Sequence, residues 1–89
     1  VLFTPGHSPG HISFFHRRSK QLFSGDVLFQ NSIGRVDLPG GNYETLMSSI
    51  VRKLLPLGQE VIVYPGHGDP TTIAAEAQHN PYIRHYLGV

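Results

Sequence analysis

With 89 residues, seven Lys and Arg against six Asp and Glu, and a formal charge of +1, the chain is at most one small domain and too evenly charged for nucleic acid. No apolar run approaches the roughly 18 residues that cross a bilayer and no charged-then-apolar leader stands at the front, so no membrane segment is expected. The absence of cysteine excludes a disulfide framework and any thiolate site, makes the cytoplasm the expected compartment, and leaves imidazole and carboxylate to bind any metal.

Val1-Leu2-Phe3 reads as the end of a strand already under way, and the true N-terminus is expected upstream. It delivers the chain into Thr4-Pro5-Gly6-His7-Ser8-Pro9-Gly10-His11, which packs two histidines, two prolines and two glycines into eight residues. Proline fixes φ and glycine admits conformations other residues avoid, so each Pro-Gly step turns the backbone and aims the histidine that follows it. His7 and His11 are candidate ligands, against the plainer reading of a solvated surface turn. Ile12 to His16 is apolar on both parities and suits a strand covered on at least one face. Arg17, Arg18 and Lys20 form a solvated turn, and Gln21 to Gly25 returns as the second strand of an antiparallel hairpin, with Asp26 at its carboxyl end.

Val27 to Gly41 reads as a long irregular link, of the kind that more often carries function than idles. Asn42 is then the N-cap of the clearest helix in the sequence. Tyr43, Leu46, Met47, Ile50, Val51, Leu54 and Leu55 form one apolar stripe destined for the core, with Glu44, Ser48, Ser49 and Arg52 opposite. Pro56 and Gly58 stop that helix. Glu60 to Tyr64 holds four consecutive apolar residues, the pattern of a central strand buried on both faces, and ends in Pro65-Gly66-His67-Gly68-Asp69. A short helix is predicted from Thr71 to His79, closed by Asn80-Pro81, and the residues from Tyr82 to Val89 are expected to pack back on the body.

Three strand ends thus present His7, Asp26 and His67, and the carboxyl ends of strands in a layered α/β sheet commonly gather on one edge. Two imidazoles and a carboxylate suit Zn²⁺, Fe²⁺ or Mn²⁺, although the same three residues also suit an acid–base cleft or could be unrelated. At this point the residues resemble a family. The Thr4–His11 loop, Phe23-Ser24-Gly25-Asp26-Val27-Leu28-Phe29 and Tyr64-Pro65-Gly66-His67-Gly68 are similar to the later metal-binding motifs of the metallo-β-lactamase fold hydrolases, in their glyoxalase II-like (hydroxyacylglutathione hydrolase-like) branch. Gly34 to Gly41, the helix after it, Thr71-Thr72-Ile73 and Asn80-Pro81 resemble short bacterial members of that branch.

The resemblance implies an α/β fold, with residues 1–89 forming the C-terminal half of an αββα sandwich whose mixed sheet carries helices on one face. It implies two divalent metal ions in the complete enzyme, Zn²⁺ first with iron or manganese as alternatives. His7 would complete the histidine set of the first metal, Asp26 would bridge the two and be central to catalysis, and His67 would bind the second. His11 would support the ligands from behind them, and Arg35 would contact a glutathione-type substrate. His16, His79 and His85 match no ligand position. The implied reaction is hydrolysis of a thioester, such as a glutathione conjugate, by a metal-bridging hydroxide.

Two departures bear on that reading. The family's first motif, His-x-His-x-Asp-His, which supplies the remaining ligands, is absent, so activity would require the missing N-terminal half. Asp37 stands where the family carries a tyrosine, which weakens the case for glutathione. One alternative is a persulfide dioxygenase of the same fold, which uses a single iron and shares the pattern at Gly34-Arg35-Val36-Asp37, although His11 favours the hydrolase. Another is an inert half-domain whose bare apolar sheet face self-associates or docks the missing half.

Overall fold

The computed structural model describes residues 1–89. Period-2 alternation decides which side of each strand is buried. In β1 (Leu2–Phe3), β2 (Ile12–His16) and β3 (Gln21–Gly25), the residues Leu2, Ser13, Phe15 and Leu22 turn inward, while Phe3, Ile12, Phe14 and Phe23 turn outward. Both pairings are antiparallel: Leu2 faces Ser13, and Phe14 faces Phe23. Lys20 closes the hairpin turn in a left-handed conformation, at φ 56°.

The link from Val27 to Gly41 is not irregular throughout. It holds a small hairpin of β4 (Leu28–Phe29) and β5 (Ser32–Ile33), whose turn places Asn31 at φ 59°. Two residues per strand are too few for alternation to reveal in sequence.

The helix begins as foreseen. In α1 (Tyr43–Ser49) the Asn42 side chain accepts from the Thr45 N–H at 2.9 Å. The coil then widens to a π-helical stretch over Ile50–Leu54 and tightens to a 3₁₀ turn at Leu55–Leu57, where Pro56 withholds a donor. Leu46, Met47, Ile50 and Leu54 are buried as expected, but Ser49 is buried with them and not on the solvent side. Its hydroxyl donates to the Pro5 carbonyl at 2.8 Å and so fastens the loop that carries His7.

The chain then forms β6 (Ile62–Pro65), β7 (Thr71–Thr72), α2 (Ile73–His79) and α3 (Pro81–Leu87). β6 lies parallel to β3, with the segment bearing α1 as the crossover that a parallel pair requires, and β7 returns antiparallel to β6. The sheet order is β1-β2-β3-β6-β7. Residues 60–64 are buried on one face only: Val61 and Val63 are inside, and Ile62 is exposed. The terminal segment packs back as expected, and does so as a helix. Asn80 caps it by accepting from the Tyr82 and Ile83 N–H groups, and Pro81 takes its first position.

One apolar cluster holds these parts together. Leu22, Val61 and Val63 from the sheet side meet Leu46, Met47, Ile50, Leu54, Ile73 and Ile83 from the helical segments, with Val27 and Leu28 beside them. Each such burial stabilises by about 1.5–3 kcal/mol. The result is a mixed sheet with its helices on one face, as the family resemblance implies.

Candidate metal centre

Three connections carry the singled-out side chains to one edge of the sheet. The β1–β2 loop is closed by Thr4 N–H to the His11 carbonyl at 2.9 Å and tied to the start of α1 by Asn42 N–H to the Gly6 carbonyl at 2.7 Å. That bracing aims His7. Its Nδ1–H donates to the Arg35 carbonyl at 2.9 Å, which leaves Nε2 facing the Asp26 carboxylate, 3.8 Å from Oδ2.

Asp26 arrives from a bulged strand. Gly25 pairs with Pro65 after Phe23 has paired with Tyr64, so Ser24 is the extra residue, and bulges of this kind re-aim the side chains beyond them. Gly25 adopts φ 57°, and a Cβ there would stand 2.8 Å from His11 Nε2, so only glycine fits. Gly66 has the same constraint by proximity, since a Cβ on it would lie 2.8 Å from Asp26 Oδ1. Across that contact, His67 Nδ1–H donates to Asp26 Oδ1 at 3.0 Å. One carboxylate oxygen is therefore turned to each histidine.

His11 takes a different position. Its Nε2 accepts the Asp26 backbone N–H at 3.4 Å, which assigns the ring proton to Nδ1, whose partner is Thr4 Oγ1 at 3.2 Å. Thr4 in turn bonds Ser13 Oγ at 2.9 Å. Burial lowers the His11 pKa, the neighbouring His7 lowers it further, and Asp26 opposes both. A neutral His11 suits an acceptor of the Asp26 N–H.

Arg35 enters the site through its backbone. Its guanidinium is exposed and makes a two-pronged contact with Asp37, Nε to Oδ1 at 3.1 Å and Nη2 to Oδ2 at 3.0 Å. That hydrogen bond raises the Arg35 pKa and holds the Asp37 carboxyl below its usual range.

A cavity of about 280 Å³ joins these pieces, lined by His7, Asp26, Phe29, Ser32, Ile33, Gly34, Arg35 and His67. The β4–β5 hairpin, which sequence reasoning missed, supplies much of its wall. A neighbouring cavity of about 380 Å³ shares Ser32 to Arg35 and extends to Tyr43 and Tyr82. A larger groove of about 460 Å³ along α1 touches none of the three singled-out side chains. His16 is engaged with Ser19 in its own turn, and His79 and His85 are exposed on α2 and α3.

His7, Asp26 and His67 share the cavity, but no three His, Asp or Glu side chains in the chain stand in the arrangement that holds an ion. The ring of His67, 80% exposed, contacts the carboxylate directly, so the three do not converge on a common point. The donors nevertheless fit a divalent metal in kind. His7 uses Nδ1–H on a backbone oxygen and keeps Nε2 free, which is how ligating imidazoles are usually held, whereas His67 spends Nδ1–H on the Asp26 carboxylate itself.

Comparison with known proteins bears on these groups. The profile of the metallo-beta-lactamase superfamily matches residues 1–67. Hydroxyacylglutathione hydrolase GloC of Haemophilus influenzae is 54% identical over 83 residues, which are 93% of this chain and 39% of that protein. Among solved structures, TTHA1623 in a di-iron-bound form superposes with a TM-score of 0.89 at 51% identity, over 92% of this chain and 41% of that one. ETHE1 from Myxococcus xanthus does so with a TM-score of 0.84 at 35% identity, over 98% of this chain and 43% of that one. The chain spans about two-fifths of the length of the curated relatives it matches.

Proposed function

The chain belongs to the metallo-beta-lactamase superfamily, and from that premise we propose that it forms the C-terminal half of a metal-dependent hydrolase of thioesters of the hydroxyacylglutathione class. The observation that carries the reading is the meeting of His7, Asp26 and His67, from three separate strand ends, on one cavity with Asp26 between the histidines. In this reading His7, Asp26 and His67 hold two divalent ions together with ligands from the other half of the domain. Such ions acidify bound water and polarise a carbonyl oxygen.

The chain's own residues do the positioning. The Arg35 carbonyl fixes the tautomer of His7, and His11 holds the Asp26 backbone by accepting its N–H. Phe29 and Ile33 give the cavity an apolar side, which favours exclusion of bulk water once the site is covered. The likeness to GloC supports the substrate class, and the likeness to a di-iron protein leaves iron beside zinc as the metal.

A graft tests the reading: this chain replaces the aligned C-terminal segment of GloC, and hydrolysis of a hydroxyacylglutathione is followed in the metal-loaded hybrid. Turnover is expected. Asp26→Asn should abolish it and weaken metal binding by more than the roughly 10–100-fold that loss of an outer partner costs. A folded, metal-loaded hybrid without thioester turnover would sink the assignment. The likeness to ETHE1 and the Arg35–Asp37 clamp favour a second reading, a mononuclear-iron persulfide dioxygenase. Oxygen uptake by the same hybrid with glutathione persulfide would select it.

A further inference from the structure

Glu76 is the one acid among the buried polar side chains, 1% exposed. None of the ion pairs in the chain involves it. A carboxylate removed from water without a cation is costly unless each oxygen is hydrogen-bonded, and here both are. Oε1 accepts from the Asn31 N–H at 2.9 Å and from Asn80 Nδ2 at 2.9 Å, and Oε2 accepts from the Thr71 hydroxyl at 2.6 Å. Asn80 Nδ2 also reaches the Ser32 carbonyl at 3.0 Å.

The donors come from separate parts of the fold. Asn31 is the turn of the β4–β5 hairpin, which lends Phe29, Ser32 and Ile33 to the cavity. Thr71 opens β7, directly after the connection that carries His67. Phe29 and His67 face each other across the cavity, with ring centroids 6.3 Å apart. One buried side chain is thus fastened both to the hairpin wall and to the strand that closes the turn bearing a proposed ligand.

We propose that Glu76 is a positioning residue: through Asn31 and Thr71 it holds the hairpin and the His67 turn together, so that His67 stays opposite Asp26. This rests on the reading of His67 as a metal ligand. The demand is for acceptors and not for charge. A glutamine can keep Oε1 on Asn31 and Asn80 and donate its amide to the Thr71 oxygen once that hydroxyl turns from donor to acceptor, so Glu76→Gln retains the ties that Glu76→Ala removes.

The test uses the 89-residue chain and two readouts, the imidazole ¹H–¹⁵N correlations of His67 and His7 and the affinity for Zn²⁺. Glu76→Ala is expected to shift or broaden the His67 signals, leave those of His7 in place, and weaken Zn²⁺ binding by about tenfold. Glu76→Gln should match wild type in both. A folded Glu76→Ala chain with wild-type His67 signals would overturn the proposal, and so would equal disturbance of both rings, which marks general loosening. If wild type takes up no Zn²⁺ without the other half's ligands, the His67 signals alone decide the positioning role, and the metal reading is tested separately in the GloC hybrid. Should Glu76→Ala fail to fold, Thr71→Val cuts only the tie on the His67 side, and unchanged His67 signals there would likewise overturn it.

Discussion

His7 and His11 sit in the same Pro-Gly loop, and the nitrogen each leaves free decides what each can do. His7 uses Nδ1 on the Arg35 carbonyl and presents Nε2 to the cavity, whereas His11 uses Nε2 to accept the Asp26 N–H and has no ring nitrogen left for an ion. That acceptor role needs a neutral ring, which burial favours. The pH effect therefore has a definite sign. With the folded pKa below the ordinary imidazole value of 6.5, the unfolded chain binds the extra proton first, so the contribution of His11 is complete above that value. It is lost as pH falls through the lowered folded value. Thermal melts of the chelated chain between about pH 8 and pH 5 are expected to fall more steeply for wild type than for His11→Gln, whose acceptor does not titrate. Parallel curves would show that His11 is not held neutral by the fold.

At the scale of elements, α1 links the core to the site. Its cap residue Asn42 accepts from Thr45 through its side chain and donates through its backbone to Gly6, one residue before His7. Asn42→Ala is expected to cost about 0.5–2 kcal/mol in denaturant unfolding, the usual value of an N-cap. A variant as stable as wild type would mean that packing alone fixes the start of the helix. This cap was legible in the sequence because it is a local signal, and so were the β2–β3 hairpin, the helical stripe and the three strand ends bearing His7, Asp26 and His67. The unread features depend on distant partners. Asn31 turns the β4–β5 hairpin with a hydrogen bond to Glu76, 45 positions away, and a lone acid in a short alanine-rich helix reads as solvated. Ser49 lies among helix residues that read as polar, and its burial is satisfied by the Pro5 carbonyl 44 positions earlier. The helix at Pro81 was within reach, since an Asn followed by Pro is a cap and a first helical position. Four consecutive apolar residues at 61–64 suggest two buried faces, but they record only that both faces are apolar.

For the whole molecule, that second face is the main burden. Phe3 pairs with Ile12, Phe14 pairs with Phe23, and Phe23 stacks on Tyr64 with centroids 5.4 Å apart, so an apolar strip crosses β1, β2, β3 and β6 on the side away from the helices. Phe3 and Phe14 are each 52% exposed and Ile62 38%. In a face-to-face sandwich a second sheet covers such a strip at a spacing of about 10 Å. Where only this chain is present, the surface available in matching shape and chemistry is the same strip on another copy. Half-burying some five such side chains on each of two copies contributes roughly 10 kcal/mol, against an association cost of at least roughly 4 kcal/mol. The surplus is at most roughly 6 kcal/mol, so self-association is expected no lower than tens of micromolar, on the order of 10⁻⁵–10⁻⁴ M. Light scattering across that range should show a mass rising above 9.9 kDa with concentration. Phe14→Lys with Phe23→Glu should stay monomeric while keeping the wild-type circular dichroism, because neither side chain belongs to the core cluster. If wild type remains monomeric throughout, the strip is tolerated in water and the sheet needs no partner to exist. If both proteins associate alike, the contact lies elsewhere on the chain.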